Sequence, residues 1–278
     1  MESTDKKKVY YKAFHKGMIC NGKQYAEYTD FEEQGAESCC NAGVMHFCEN
    51  PFDVLNYYPL VDENGDFSEF STVEPLDKVI KKEDKCASKK IHIGAKLGFK
   101  GFIEAAVNVL IEKTKPENKN DDARIGSSGD DAQIGSSGKY ARIGSSGKYA
   151  QIGSSGKYAQ IGSSGYAAQI GSSGYAAQIG SSGDNAQIGS SGKYAQIGSS
   201  GDDACIKCEA DHAVVVCAGK RAKIKAAEGA WITLAEYGDF DGEGYPCICV
   251  KSAQIDGDAL KANTCYALKG GEFVEVKE

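Results

Sequence analysis

Ala123-Arg124-Ile125-Gly126-Ser127-Ser128-Gly129-Asp130-Asp131 is followed at once by Ala132-Gln133-Ile134-Gly135-Ser136-Ser137-Gly138-Lys139-Tyr140, and this nine-residue unit decides the fold. The unit A-[QR]-I-G-S-S-G-x-x recurs nine times, with Ala at 123, 132, 141, 150, 159, 168, 177, 186 and 195. Its phase continues in worn form at Ala204-Cys205-Ile206, Ala213-Val214-Val215 and Ala222-Lys223-Ile224. A fixed short period marks a repeat architecture. Nine residues are too few for a helical repeat, Gly-Ser-Ser-Gly breaks helices, and Tyr-Ala-Gln-Ile alternates like a strand. Ala and Ile, two apart, share the inward face, and Gln or Arg between them points outward. Gly-Ser-Ser-Gly makes the turn, because glycine tolerates the positive φ that corners need.

Stacked, these units form a parallel β-solenoid. Two units per coil give an eighteen-residue, two-sheeted β-roll, preferred because a small Ala plus Ile pair suits a thin core; three per coil give the alternative, a triangular prism. Each coil rises about 4.8 Å, so six coils make a rod of about 29 Å. Calcium-binding nonapeptide rolls need carboxylates at fixed turn positions. Here Lys139, Lys148, Lys157 and Lys193 fall beside those positions, and no regular calcium stack is expected.

Working outward, the 278 residues read as three segments: a small α+β domain over 1–119, the solenoid over 120–230 and a β-rich cap over 231–278, a mainly β chain. A solenoid needs caps, because its terminal coils otherwise expose core and strand edge. In the first segment Lys7 to Phe14 has a strand pattern, as does Ile91 to Leu97. Asn50 is placed as a helix N-cap with Pro51 at the first helical position. Gly101 to Glu112 is apolar at helical spacing and is expected to pack on the first coil.

The formal charge of −7 gives no basic footprint for general nucleic-acid binding. No run of 18 apolar residues suggests a membrane span. The first residues, MESTDKKKVYYKAF, lack the apolar core of a secretory signal. Eleven Cys then read as reduced cytosolic thiols. Cys205-x-x-Cys208 with Cys217 suggests zinc by spacing alone. The repeat register places Cys205 in the outward Gln column and Cys208 and Cys217 in the turn, so these are read as structural thiols, as are Cys39-Cys40 and Cys247-x-Cys249. No metal and no cofactor is expected.

The stretch Tyr11-Lys12-Ala13-Phe14-His15-Lys16-Gly17-Met18-Ile19-Cys20-Asn21-Gly22-Lys23-Gln24-Tyr25, with His46-Phe47-Cys48-Glu49-Asn50-Pro51-Phe52-Asp53-Val54-Leu55-Asn56-Tyr57-Tyr58, resembles an uncharacterised N-terminal domain of phage and prophage proteins of Gram-positive bacteria. In that family it often precedes I-G-S-S-G repeats and a tail like Ala230-Trp231-Ile232-Thr233-Leu234-Ala235-Glu236-Tyr237. Where the family reads G-F-H-F-C, this chain has one residue more, Gly43 to Cys48. The resemblance implies a phage origin and no particular activity.

No catalytic set emerges. His46-Phe47-Cys48 before a helix ending in Tyr57-Tyr58 is faintly similar to ADP-ribosyltransferase-like folds, yet spacing assigns no base and no catalytic Glu. Nine equivalent Ser-Ser pairs are turns, not nucleophiles. What remains is surface: an outward ladder holding Arg124, Arg142 and Gln160, and a column before Ala holding Tyr140, Tyr149, Tyr158 and Tyr194. Such side chains both stabilise sheets and enrich interfaces. Across 121–203, seven Asp stand against six Lys plus Arg. A rod this near neutrality is a poor DNA mimic.

The expectation is therefore a non-enzymatic protein acting in a host cytoplasm that binds and blocks a host protein or protein–nucleic acid complex, most sharply a defence nuclease such as a CRISPR–Cas effector. Contact with a membrane is not expected, and a solenoid face or cap could pair two copies. Two other readings compete: a transferase-like enzyme on a solenoid spacer, and a virion or surface adhesion element.

Overall fold

Each repeat turns one corner with a non-glycine residue in the left-handed region. In the computed structural model, which describes residues 8–35, 39, 43–62, 66–113 and 115–276, the last residue of every unit has φ between 50° and 60°: Asp131, Tyr140, Tyr149, Tyr158, Ala167, Ala176, Asn185, Tyr194, Asp203, His212 and Arg221. This corrects the expectation that the repeat glycines supply the positive φ. The second glycine serves a different end. A Cβ on Gly147 would stand 1.9 Å from the Gly129 carbonyl oxygen one coil below, and the same contact recurs up the stack. Glycine lets the corners of the clean repeats pack this closely; in the worn unit eighteen residues after Gly192 the position is held by buried Ala210.

The strands are four residues long and pair in parallel with the strand eighteen residues on, as Ile125 with Ile143 and Ile134 with Ile152. Two units thus make one coil. The result is a two-sheeted roll of about six turns over residues 124–234. One sheet holds Arg124–Ser127, Arg142–Ser145, Gln160–Ser163, Gln178–Ser181, Gln196–Ser199, Val214–Cys217 and Trp231–Tyr237. The other holds Gln133–Ser136, Gln151–Ser154, Gln169–Ser172, Gln187–Ser190, Cys205–Cys208 and Lys223–Ala226.

Between the sheets lie the Ala, Ile and first-Ser columns. From Ala141 to Ala204 every repeat Ala is fully buried, and Ile134 to Ile206 are 5% exposed or less. Each Ile so placed contributes on the order of 1.5–3 kcal/mol. The first serine faces inward as well, and in several units its hydroxyl accepts the glycine N–H two residues on, as Ser136 Oγ from Gly138 (3.3 Å) and Ser154 Oγ from Gly156 (3.3 Å). Cys208 and Cys217 occupy this same inward position, which corrects their placement in the turn. Burial pushes the Cys208 thiol up to about 12 and the Cys217 thiol up to about 11, so both stay protonated and packed.

The corner aspartates staple successive coils. Asp121, Asp130, Asp184 and Asp202 each accept, through Oδ1, the backbone N–H of the residue eighteen later, at 2.8–2.9 Å. Carboxylates that could have suggested cation binding are thus spent on the backbone.

The last unit is one residue short. Ala230 follows Ala222 by eight residues, and Gly229 at φ 83° makes the tighter corner. Trp231 still pairs in parallel with Val214 and Leu234 with Cys217, so the coil register runs on to Leu234. Antiparallel strands then take over. Cys247–Gln254 pairs with Trp231–Tyr237, and Cys265–Lys269 pairs with Lys223–Ala226 on one side and with Glu272–Glu275 on the other.

Two compact units divide the described chain, one ending at Gly98 and the other starting at Phe99. The helix α1 (Phe99–Lys113) therefore belongs with the solenoid. Phe99, Phe102, Ile103, Ala106, Val107 and Leu110 are its buried face, packed on four successive strands of the second sheet, from Gln133–Ser136 to Gln187–Ser190. It packs on the first coil, as the sequence suggests, and runs on along the stack. Among the described residues no helix is long and apolar enough to cross a membrane.

The N-terminal unit has a four-stranded antiparallel sheet in the order Tyr10–Phe14, Glu69–Pro75, Lys90–Leu97, Thr29–Glu32. A three-stranded sheet of Met45–Phe47, Lys85–Ser88 and Ile80–Lys82 accompanies it. Asn50 does cap the next turn: its Oδ1 accepts from Phe52 N at 3.2 Å, and Pro51–Asn56 follows as a 3-10 helix.

One consequence is measurable. An alanine in the left-handed region costs roughly 1 kcal/mol that glycine does not. Ala176→Gly should therefore raise stability by about 1 kcal/mol, although glycine normally weakens a structure. A urea midpoint that falls instead would show that the corner is not strained.

Candidate functional site

The two solenoid sheets carry the same repeat yet present different surfaces. On the second sheet α1 lies over the outward columns, so Gln151 and Gln169 are buried and Gln151 Nε2 donates to Gln169 Oε1 at 3.3 Å. The uniform outward Gln ladder read from the sequence is therefore half covered. On the first sheet Arg124, Arg142, Gln160, Gln178 and Gln196 are exposed. Beside them runs the row Gly126, Gly144, Gly162, Gly180, Gly198, where an added Cβ would meet nothing within 4 Å. Together these rows floor an open trough of about 1090 Å3 that ends at Val214 and Val216. Val214, Val216 and Trp231 are exposed apolar side chains on the same sheet; the worn repeats that hold them keep the phase of the period but not its residue types, which hides them in the sequence.

The tyrosines divide between the two edges. Tyr140 stacks on Tyr158 (5.2 Å, 8° between planes), Tyr158 meets Tyr175, Tyr175 meets Tyr194, and Tyr194 stacks on His212 (5.4 Å, 18°). This continuous aromatic ladder borders the corner that leads into Arg142 and its successors. Tyr149 stands on the opposite edge with Tyr166, edge to face at 5.8 Å. Of the four tyrosines singled out from sequence, the fold thus brings three together and sets one apart. Tyr166 and Tyr175 were missed because Tyr-Ala replaces Lys-Tyr there, shifting the ring one residue earlier. Each aromatic pair adds roughly 0.5–1.5 kcal/mol beyond its buried area, so the ladder stiffens the edge it decorates.

A second candidate lies within the N-terminal unit. A cavity of about 710 Å3 is lined by residues of the stretch Tyr11 to Tyr25, together with His46, Tyr57 and Tyr58. Lys12, buried, donates to the His46 carbonyl oxygen (2.9 Å) and to Cys20 Sγ (3.3 Å), and Tyr58 Oη donates to the same sulfur at 3.0 Å. Burial lowers the pKa of Lys12, since a lone ammonium is costly away from water. Lys23 pairs with Glu33. His46 Nε2 is held against the Cys39 carbonyl oxygen, and burial lowers its pKa. Tyr57 Oη donates to Asp84 Oδ1 at 2.6 Å; burial and this bond raise its pKa. His46 and Tyr57, far apart in sequence, do line one cavity, but each is engaged with a neighbour in a way that suits structure more than proton transfer.

The cysteine pair is resolved by alternation. Cys205 faces out and Cys208 faces the core, so the two thiols cannot share one ion. Among the described residues no three His, Cys, Asp or Glu side chains converge as a metal site. Cys40 lies outside the described residues.

No curated protein and no solved structure matches the chain. Residues 8–105, which hold the N-terminal unit and the start of α1, match the family model described as a domain of unknown function, DUF7666.

Proposed function

We propose that this is a non-enzymatic, phage-type interaction protein that binds a host macromolecule through its bare solenoid face and obstructs it. The observation that carries the reading is the asymmetry of the roll. One sheet is buried under α1, while the other, of the same repeats, is left open with a rigid row of Arg and Gln and an aromatic border. Aromatic side chains braced in a ladder bind at low entropic cost, and arginine is enriched among the anchors of interfaces. Two arginines on the face are too few for general nucleic-acid binding, so the partner is a protein or a protein–nucleic acid complex in the host cytoplasm. A defence nuclease such as a CRISPR–Cas effector is the sharpest version.

Titrating DNA cleavage by such an effector with the full chain tests it. Inhibition should saturate at a fixed ratio. Tyr140→Ala, Tyr158→Ala and Arg142→Ala should each weaken it by about 1–2 kcal/mol without unfolding the chain. His46→Ala with Tyr57→Ala should leave it intact. The competing enzyme reading draws on the N-terminal cavity; it takes over when substoichiometric protein inactivates the target, or when only the cavity changes abolish the effect.

A further inference from the structure

The covered sheet shows what its twin is shaped to hold. Where α1 crosses the second sheet, the outward glycine row receives it. A Cβ on Gly135 would strike the Leu110–Ile111 backbone at 2.5 Å, one on Gly153 would touch Val107 and Leu110, and one on Gly189 would strike Ile103 and Phe99. Glycine there lets a helix settle against the strand backbones. Helix α1 has 15 residues, about 22 Å. From Gly126 to Gly198 the open row on the first sheet crosses five strands, about 19 Å, so one such helix fills it.

The two faces differ in their flanking side chains, and the difference specifies the occupant. At the first-coil end of the covered sheet, Lys113 of α1 donates to Gln133 Oε1 at 3.2 Å. The matching positions on the open sheet are Arg124 and Arg142, which would repel a lysine and attract carboxylates and the negative carboxyl end of a helix. At the far end of the covered sheet, Lys207 lies over the Phe99 ring at 4.1 Å. Its counterpart on the open sheet is Val216, with Val214 and Trp231 beside it, an apolar seat for the amino end.

We propose that the open face docks an amphipathic α-helix of a partner protein, lying along the glycine row with an acidic carboxyl end at Arg124 and Arg142 and an apolar amino end at Val214 and Trp231. The inference rests on the reading above that this face binds the partner. The occupant has the length and packing of α1 and a carboxylate where α1 carries Lys113. A second copy of this chain does not supply it from α1, whose apolar face is already buried on its own solenoid.

The probe is a fluorescein-labelled peptide of residues 99–113 carrying Lys113→Glu, titrated with the full-length protein and read by anisotropy. Saturable one-to-one binding is expected, at least fivefold tighter than for the peptide with Lys113. Arg142→Glu should reverse that preference. Gly162→Leu, which fills the row where a side chain meets no neighbour, should weaken binding more than tenfold while circular dichroism stays unchanged. Absence of binding, or binding indifferent to Gly162→Leu, overturns the proposal. So does a dimer in light scattering that Gly162→Leu converts to monomer, since the face then belongs to a second copy. Should the peptide fail while Arg142→Ala still weakens blockade, the helix falls and the binding face stands. Should the peptide bind while Gly162→Leu leaves blockade intact, the helix stands and the functional reading falls.

Discussion

Gly165→Ala should cost the solenoid about 3 kcal/mol or more, whereas Gly162→Ala, three residues earlier and chemically identical, should shift stability by less than about 0.5 kcal/mol. A Cβ at Gly165 would lie 1.8 Å from the Gly147 carbonyl oxygen, while one at Gly162 meets nothing within 4 Å. The oxygen belongs to a corner fixed between two ladder bonds, Ser146 N to Ser127 O and Ser164 N to Ser145 O, each 3.0 Å. It gives way only if the corner moves against its neighbour, an adjustment made where the worn unit carries Ala210 in this position. In a solenoid each coil contacts only the coils beside it, so a break in the middle severs the stack. For a unit of this size, a melting temperature lower by roughly 6–12 °C follows. Equal losses for the two variants would show that the close contact is not what the second glycine is for.

That contrast also marks what the sequence can and cannot disclose. The period and the Ala-x-Ile alternation pointed to a parallel solenoid and favoured the two-sheeted roll over a triangular prism, because a thin core suits so small an inward pair; the pairing of strands eighteen residues apart decides between them. The corner was misread for a physical reason. A local reading assigns positive φ to glycine, but here the glycine is fixed by a contact eighteen residues away, and the left-handed residue is Tyr, Asp or Ala. Identical repeats also hide which sheet is covered: nothing local separates Gln151, buried under α1, from exposed Gln160. The hints sit in the worn units, where Cys205 and Lys207 replace Gln and Gly on the covered side and Val214 and Val216 replace them on the open side. In the N-terminal unit His46, Tyr57 and Tyr58 were singled out, yet Lys12 and Cys20 were not. Lys12 sits in an ordinary strand pattern, and the burial that makes it unusual comes from elements distant in sequence.

Ile161→Asp should cost still more, on the order of 4 kcal/mol or above, and Gln160→Asp next to it should cost almost nothing. Ile161 is 3% exposed and aligned between Ile143 and Ile179 in the core. Replacing it forfeits roughly 2–3 kcal/mol of apolar burial and places a carboxyl among side chains that offer it no counter-charge. Desolvation would raise its folded pKa above the unfolded value of about 3.9. A raised folded pKa adds stability only below the unfolded value and loses it as pH rises through the folded one. The deficit of Ile161→Asp relative to the parent should thus be smallest near pH 4 and grow toward pH 7. Gln160 is exposed on the open face and pairs across strands with Arg142, so an aspartate there gains an opposite charge worth roughly 0.2–1 kcal/mol. Urea unfolding of both variants at pH 4 and pH 7 separates the cases. A deficit for Ile161→Asp that stays flat with pH would mean that the coil opens to let the carboxylate reach water, and that the thin core is looser than its packing implies.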